Sequence, residues 1–257
     1  MTEFFSISFG AHNYNLATDW PATISEGQPV RSRQAARANI EGAYTAGGLL
    51  GVRKIVISGA LACPLPYSAA NMRAAWDAFK AAHAPGMPQI LMIDNDRYIM
   101  AEVVSIAESK WNGLQSRPFE VEFDCADPYW YGATQNSQTL ALGANSITTH
   151  GTAPCLPIFY VNVAPGFTTG ASFSIADSFG NVTTVTPTIF GSYVAESTVE
   201  NMTSIGFLDT EYSTLGNMSV FSGQFTKLAA GASNIQVSTS GNITLSSISV
   251  SWQDRWY

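Results

Sequence analysis

Asp94-Asn95-Asp96 has the spacing of a metal-holding D-x-D motif, in which two carboxylates bind a divalent cation for sugar-nucleotide chemistry. It lies between QILMI and RYIMAEVVSIA, two β-prone runs, and Asn and Asp tolerate the left-handed backbone of tight turns. A hairpin turn therefore accounts for the triplet more simply than a metal. A second acidic set, Glu120, Glu122 and Asp124, sits in FEVEFDCA, where three carboxylates invite a metal or general acid–base reading. Residues two apart on a strand project in parallel, and no neighbouring His, Lys or second acidic cluster accompanies them in the sequence. Three readings of that stripe stay open: a solvated face, the repulsive lining of a lumen, or an edge that pairs with arginines. Asp209 and Glu211 are further candidate carboxylates. A glycoside hydrolase needs two such groups roughly 5–9 Å apart across a cleft. Asp-Thr-Glu at a strand end lacks a recognisable acid partner.

Nucleophilic and metal chemistry find no support either. Cys63, Cys125 and Cys155 are widely spaced without a C-x-x-C pair, and His12, His83 and His150 fall in turn-like contexts. Neither a disulfide framework nor a zinc site is expected, and no G-x-S-x-G occurs. The expectation is a protein with no catalytic residues, no metal and no cofactor.

Composition points toward an assembled surface. Of the 257 residues 46% are hydrophobic, enough for a sizeable core, and only 12% are charged, about half the usual share. A net charge of −7 argues against gripping nucleic acid, which needs clustered Lys and Arg. Arg31, Arg33 and Arg37 form the one basic cluster, read either as a solvated loop or as partners for a neighbour's acidic stripe. MTEFFSISFG has no basic start, and nowhere do eighteen apolar residues follow one another, so neither a signal peptide nor a membrane span is expected. Without a secretion signal, the N-x-[ST] triplets at Asn181, Asn201, Asn217 and Asn242 carry little weight as glycosylation sites.

The elements that would position these residues divide the chain in two. In SAANMRAAWDAFKAAHAPG, Met72, Ala75, Trp76, Phe79 and Ala82 recur at helical spacing, with Ser68 as N-cap and Pro85-Gly86 as stop. One amphipathic helix over about 69–83 is predicted, its apolar stripe packing on a sheet. VRKIVIS reads as a strand before it. In FEVEFDCA, Phe119, Val121, Phe123 and Cys125 share one face and the acids the other. Pro128 cannot donate to a ladder and disfavours regular structure at Asp127, so this strand ends as the first domain closes. Tyr129, Trp130 and Tyr131 then plug the seam between domains; a sugar-stacking platform is the alternative.

From about 133 the composition shifts. ATQNSQTLALGAN reads as an uncharged, polar junction. NSITT, PIFYVNV, ASFSIA, TVTPTIF, NMSVFSG, SNIQVST and NITLSSISVSW follow as short β-prone runs, separated by turns such as Pro165-Gly166, Ser178-Phe179-Gly180 and Ser240-Gly241-Asn242. The pattern predicts an antiparallel β-sandwich of seven or more strands. Ile248, Val250 and Trp252 share a strand face, which makes Trp252 core and leaves Trp256 and Tyr257 as the candidate accessory binding residues. The fold class is mainly β: an α+β first domain over 1–132 with one helix, then a sandwich over 133–257.

The sequence resembles the distal tail protein (Dit) family of siphophages, long, flexible-tailed bacteriophages, over nearly its whole length. In the first half the resemblance rests on RKIVISGAL, the helix, QILMIDNDRYIMAEVVSI and, most specifically, FEVEFDCADPYWYG. In the second it rests on LGANSITTHGTAPCLPIFYV, GFLDTEYSTL and FSGQFTKLAAGASNIQVS, in that order. The resemblance implies a first domain that forms a ring, usually a homohexamer, under the tail tube protein, and a galectin-like second domain outside it. It implies a structural adaptor, not an enzyme, at the distal end of the virion's tail, made in the host cytoplasm. Its partners would be the tube, the tail-tip hub or tail-associated lysin, and receptor-binding proteins, with DNA passing through the lumen. RSRQAARANIEGAYTAGGLLG lies where family members carry an extended arm or belt, and departs from any residue-by-residue match. The alternative reading is a carbohydrate-binding, lectin-like module for host-surface adhesion.

Overall fold

A computed structural model describes residues 6–14, 19–27, 30–36, 43–108, 115–187, 191–196, 205–208, 220–223 and 226–257. The chain divides into two compact units, Met1–Trp130 and Tyr131–Tyr257.

The first unit runs β1 (Ile7–Phe9), β2 (His12–Tyr14), β3 (Asp19–Gly27), β4 (Val30–Ala36), β5 (Ala43–Leu50), β6 (Arg53–Ala62), α1 (Ala69–Ala82), β7 (Gln89–Ile93), β8 (Arg97–Glu108) and β9 (Ser116–Cys125). Antiparallel pairing follows the path β2-β1-β7-β8-β9-β6-β3. The long β8 serves two neighbours: residues 97–101 pair with β7 and residues 102–108 with β9. Ile7, Phe9, Leu91, Ile93 and Ile99 contribute to a buried core with Ile55, Ile57, Phe119, Val121 and Phe123.

The helix forms where its spacing predicts. Ser68 is extended and its Oγ accepts from the Asn71 backbone N–H at 3.1 Å, which satisfies one of the amides that no helical carbonyl can reach. Met72, Trp76 and Phe79 are buried, each worth ~1.5–3 kcal/mol of transfer free energy. Trp76 stacks on Phe79, Phe79 meets Phe119 of β9, and the Arg117 guanidinium lies 4.0 Å from the Trp76 ring centroid. The helix ends on His83, its C-cap, which sits in the turn that closes the helix and is fully buried. Its Nδ1 faces the Phe79 carbonyl at 2.8 Å, an acceptor only, so that nitrogen carries the proton and Nε2 accepts from the Tyr14 hydroxyl.

The turn reading of Asp94-Asn95-Asp96 holds. Asp94 and Asn95 have φ of 50° and 58°, and Asp96 N–H donates to the Ile93 carbonyl at 3.2 Å. Asp94 Oδ1 accepts from the Ser6 backbone N–H at 3.0 Å, so the carboxylate ties the hairpin to the strand entering beside it. The arm region forms a ribbon in which β4 and β5 pair with each other.

The second unit runs β10 (Trp130–Thr139), β11 (Gly143–Thr148), β12 (Ile158–Val163), β13 (Ser172–Ala176), β14 (Val182–Thr186), β15 (Gly191–Glu196), β16 (Ile205–Leu208), β17 (Val220–Gly223), β18 (Ala232–Ser240) and β19 (Leu245–Trp256). Strands in the order β11-β18-β13-β14-β17 form one sheet and those in the order β16-β15-β12-β19-β10 lie together in another. Ile147, Phe173, Ile175, Val185, Ile235 and Val237 of the first pack with Phe159, Val161, Val163, Ile248, Val250 and Trp252 of the second in one cluster. All seven predicted β-prone runs contribute strands, and Gly166, Gly180 and Gly241 hold the predicted turns at positive φ.

The expected junction is where the structure differs. ATQNSQT is no linker but most of β10. Its polar side chains satisfied the appearance of a loop, yet they bond to β19: Gln135 Nε2 donates to Ser251 Oγ at 3.2 Å and Asn136 Nδ2 to Asp254 Oδ2 at 3.1 Å. Period-2 apolar patterning fails here because the exposed face and the bonded face are both polar.

Candidate functional site

The acidic stripe lies on the outward face of β9, while Phe119, Val121, Phe123 and Cys125 turn inward and are buried. Register supplies what the sequence did not bring together. Lys54, Val56 and Ser58 of β6 stand opposite Asp124, Glu122 and Glu120, and Glu102, Ser105 and Ala107 of β8 flank the same three from the other side. Lys54 Nζ is 2.8 Å from Glu122 Oε1 and 3.7 Å from Asp124 Oδ1. Ser105 Oγ donates to Glu122 Oε2 at 3.4 Å and Ser58 Oγ to Glu120 Oε2 at 3.5 Å.

The hydrogen bond from Lys54 holds the Glu122 carboxyl below its ordinary range, and the same bond raises the Lys54 ammonium, with Asp124 adding to it. One ammonium among Glu102, Glu120, Glu122 and Asp124 leaves the face negative. It also means that the stripe has a lysine companion, contrary to expectation, because β6 brings it across the sheet. Strand alternation in RKIVIS marks Lys54 as outward; only the register aims it at Glu122. Among the described residues no group of three or more His, Cys, Asp or Glu could hold a metal ion, and no helix is long and apolar enough to cross a membrane.

Arg31 and Arg33 occupy β4 at register positions opposite Leu49 and Ala46 of β5, and Arg37 lies outside the described residues, as do Asp209 and Glu211.

The strand stop at Asp127-Pro128 is an Asx turn, with Tyr129 N–H donating to Asp127 Oδ1 at 3.2 Å. Trp130 is buried, so the three aromatics form no exposed stacking platform. Its indole N–H donates to Glu26 Oε2 at 3.4 Å, and the same oxygen accepts from Arg53 Nη1 at 3.1 Å. Within the second unit, Tyr131 lies under the Arg255 guanidinium, 5.2 Å from its ring centroid. Trp256 is engaged too: its ring lies beside Gly132, where an added Cβ would meet Cη2 and Cζ3 at 3.5 Å, an ordinary van der Waals contact. Tyr257 is half exposed, with its backbone N–H donating to Thr152 Oγ1 at 3.2 Å. The pair is therefore no free aromatic platform.

Two thiols are inert for a stated reason. Burial pushes Cys125 up to about 12, against the pull of the Arg53 charge, and pushes Cys155 up to about 11. Cys63, Cys125 and Cys155 are all buried and unpaired.

No protein-family model matches the sequence, and no curated protein matches it. Among solved structures, the chain is similar to the Dit protein (gp 19.1) of phage SPP1, over 99% of this chain and 100% of that one, with a TM-score of 0.72 at 10% identity. The chain has the distal tail protein fold. The SPP1 protein is described as a paradigm of the hub adsorption apparatus in Gram-positive infecting phages. A chain of the phage p2 baseplate in its activated, Sr-bound conformation aligns over 96% of both chains at 10% identity, with a TM-score of 0.46 too low to bear on the fold. Both units of the distal tail fold take part in the SPP1 match, since coverage is near complete on both sides.

Proposed function

We propose that this chain is a structural protein of a phage tail, a distal tail adaptor whose first unit assembles into a homohexameric ring and whose second unit is carried outside it. The observation that carries this reading is the end-to-end likeness to the SPP1 Dit protein, with neither chain left over. The adaptor would join the tail tube to the tail-tip hub and its host-attachment proteins at the distal end of the virion. The surface chemistry supports assembly: a cyclic ring repeats one heterologous contact until it closes, and sparse charge lowers the desolvation cost at that contact. In this reading the face carrying Glu120, Glu122 and Asp124 lines a lumen for DNA, where net negative charge repels phosphate, or meets Arg31, Arg33 and Arg37 of the next subunit.

Native mass spectrometry across a concentration series, together with negative-stain imaging of the virion's tail end, tests the proposal. Species of six subunits and labelling at the tail tip are expected. Persistent monomer at high concentration, combined with absence from the virion tip, would refute it.

A further inference from the structure

Arg53 is a side chain that the adaptor reading leaves unexplained. It is fully buried, and its ion pair is with Glu26, whose own side chain is one-third exposed. Arg53 Nη1 reaches Glu26 Oε2 at 3.1 Å, whereas Nε and Nη2 have no hydrogen-bond partner among the described residues. A buried guanidinium normally uses several of its five donors. Here one carboxylate oxygen carries the cation, and the same oxygen receives the Trp130 indole N–H at 3.4 Å. Burial lowers the Arg53 pKa, with the Glu26 charge opposing that shift.

The chain positions of the three residues give this cluster its meaning. Glu26 is the penultimate residue of β3, and the β4–β5 ribbon begins at Val30. Arg53 opens β6, and the ribbon ends at Leu50. Glu26 and Arg53 thus stand on the two strands by which the chain enters and leaves the ribbon. Trp130 is the last residue of the first unit, where the chain passes into the second. One carboxylate oxygen links both roots of the ribbon to the exit of the unit.

We propose that Glu26, Arg53 and Trp130 form a releasable latch that couples the root of the β4–β5 ribbon to the junction between the two units. A cation held by one partner, with two donors unmet, has no second bond to retain it. Losing Glu26 takes away the ion-pair and hydrogen-bond partner of the buried Arg53 charge and leaves only the field of Asp127 to offset its burial, so Arg53 moves toward water and the ribbon root moves with it. Because Glu26 is partly exposed, whatever engages the ribbon root can compete for its carboxylate. Release at the ribbon then frees Trp130, and release at Trp130 weakens the hold on the ribbon. This inference does not require the ring.

Hydrogen exchange by mass spectrometry on the full chain tests the latch. In Glu26→Gln, peptides covering 26–36, 43–53 and 126–132 should exchange at least tenfold faster, with β7 and β18 unchanged. Trp130→Phe removes the N–H donor together with part of the buried indole's volume; it should speed exchange at the ribbon root several-fold as well as at the junction, and a double variant separates the lost hydrogen bond from the lost volume. Glu26→Leu combined with Arg53→Met removes both charges and guards against a variant that fails to fold. That double variant should fold, and its ribbon exchange should no longer respond to Trp130→Phe. The proposal is overturned if Trp130→Phe alters the junction alone, if Glu26→Gln accelerates exchange evenly through the first unit, or if the double variant still responds.

Discussion

Replacing Asp177 by Asn should cost the second unit ~2–5 kcal/mol. The Asp177 carboxylate is buried beneath the turn between β13 and β14 and accepts four hydrogen bonds. Oδ1 takes the backbone N–H groups of Phe179 at 2.8 Å and Asn181 at 2.9 Å, and Oδ2 takes Asn181 Nδ2 at 2.8 Å and the Lys227 backbone N–H at 2.6 Å. Asparagine keeps one oxygen and turns the other position into a donor. It therefore retains the turn bonds in neutral form and sets N–H against N–H at Lys227. Hydrogen bonds to a charged group contribute ~1.5–3 kcal/mol each, and two are lost. Rotation of the Asn181 amide to present its oxygen recovers about 1 kcal/mol of that sum. For a unit of this size, at ~4 °C per kcal/mol, the calorimetric transition should fall by ~8–20 °C. Asn181→Ala, which removes one of the four bonds to the carboxylate, should cost ~1.5–3 kcal/mol. If Asp177→Asn stays within 1 kcal/mol of the parent, or is milder than Asn181→Ala, the reasoning about this carboxylate is refuted.

Replacing Glu120, Glu122 and Asp124 together by Gln should leave assembly intact and increase DNA retention at low salt if the face lines a lumen. If it meets the arginines of a neighbour, the same variant should assemble poorly and charge reversal on both sides should rescue it; normal assembly with unchanged DNA binding would leave a solvated face. Gly151→Ala places a Cβ 2.0 Å from the Arg255 carbonyl oxygen, a backbone atom that cannot swing away, and should cost ~2 kcal/mol or more in denaturant unfolding. For Cys125 and Cys155 the folded thiols titrate near 12 and 11, against about 8.5 unfolded. Stability they contribute is whole below about pH 8.5 and is lost as pH climbs toward those folded values, and iodoacetamide at pH 8.5 should label both only after denaturation; rapid native labelling would contradict their burial. Separately expressed fragments 1–130 and 131–257 should each give dispersed amide spectra, whereas a second fragment begun at 140 should be markedly less stable because it lacks β10 altogether.

Local chemistry was legible wherever neighbours along the chain decide the outcome. The helix with its Ser68 cap, the Asp94-Asn95 turn, the alternation of FEVEFDC and the seven β-prone runs all follow from spacing, capping and turn propensity, which act over a few residues. So was the burial of Trp252, through its shared face with Ile248 and Val250. What depends on register was not legible. Lys54 reaches Glu122, Gln135 reaches Ser251, and Arg53 shares Glu26 with Trp130, pairs separated by 68, 116, 27 and 104 positions along the chain. Such contacts require strand partners and their alignment, and a one-residue slip would send each side chain to the opposite face. The residue types and their local order determined the elements and much of the core of this protein. Only the tertiary structure decided which charges meet, that a polar stretch is a strand, and that His83, apparently beside a turn, is a buried helix cap.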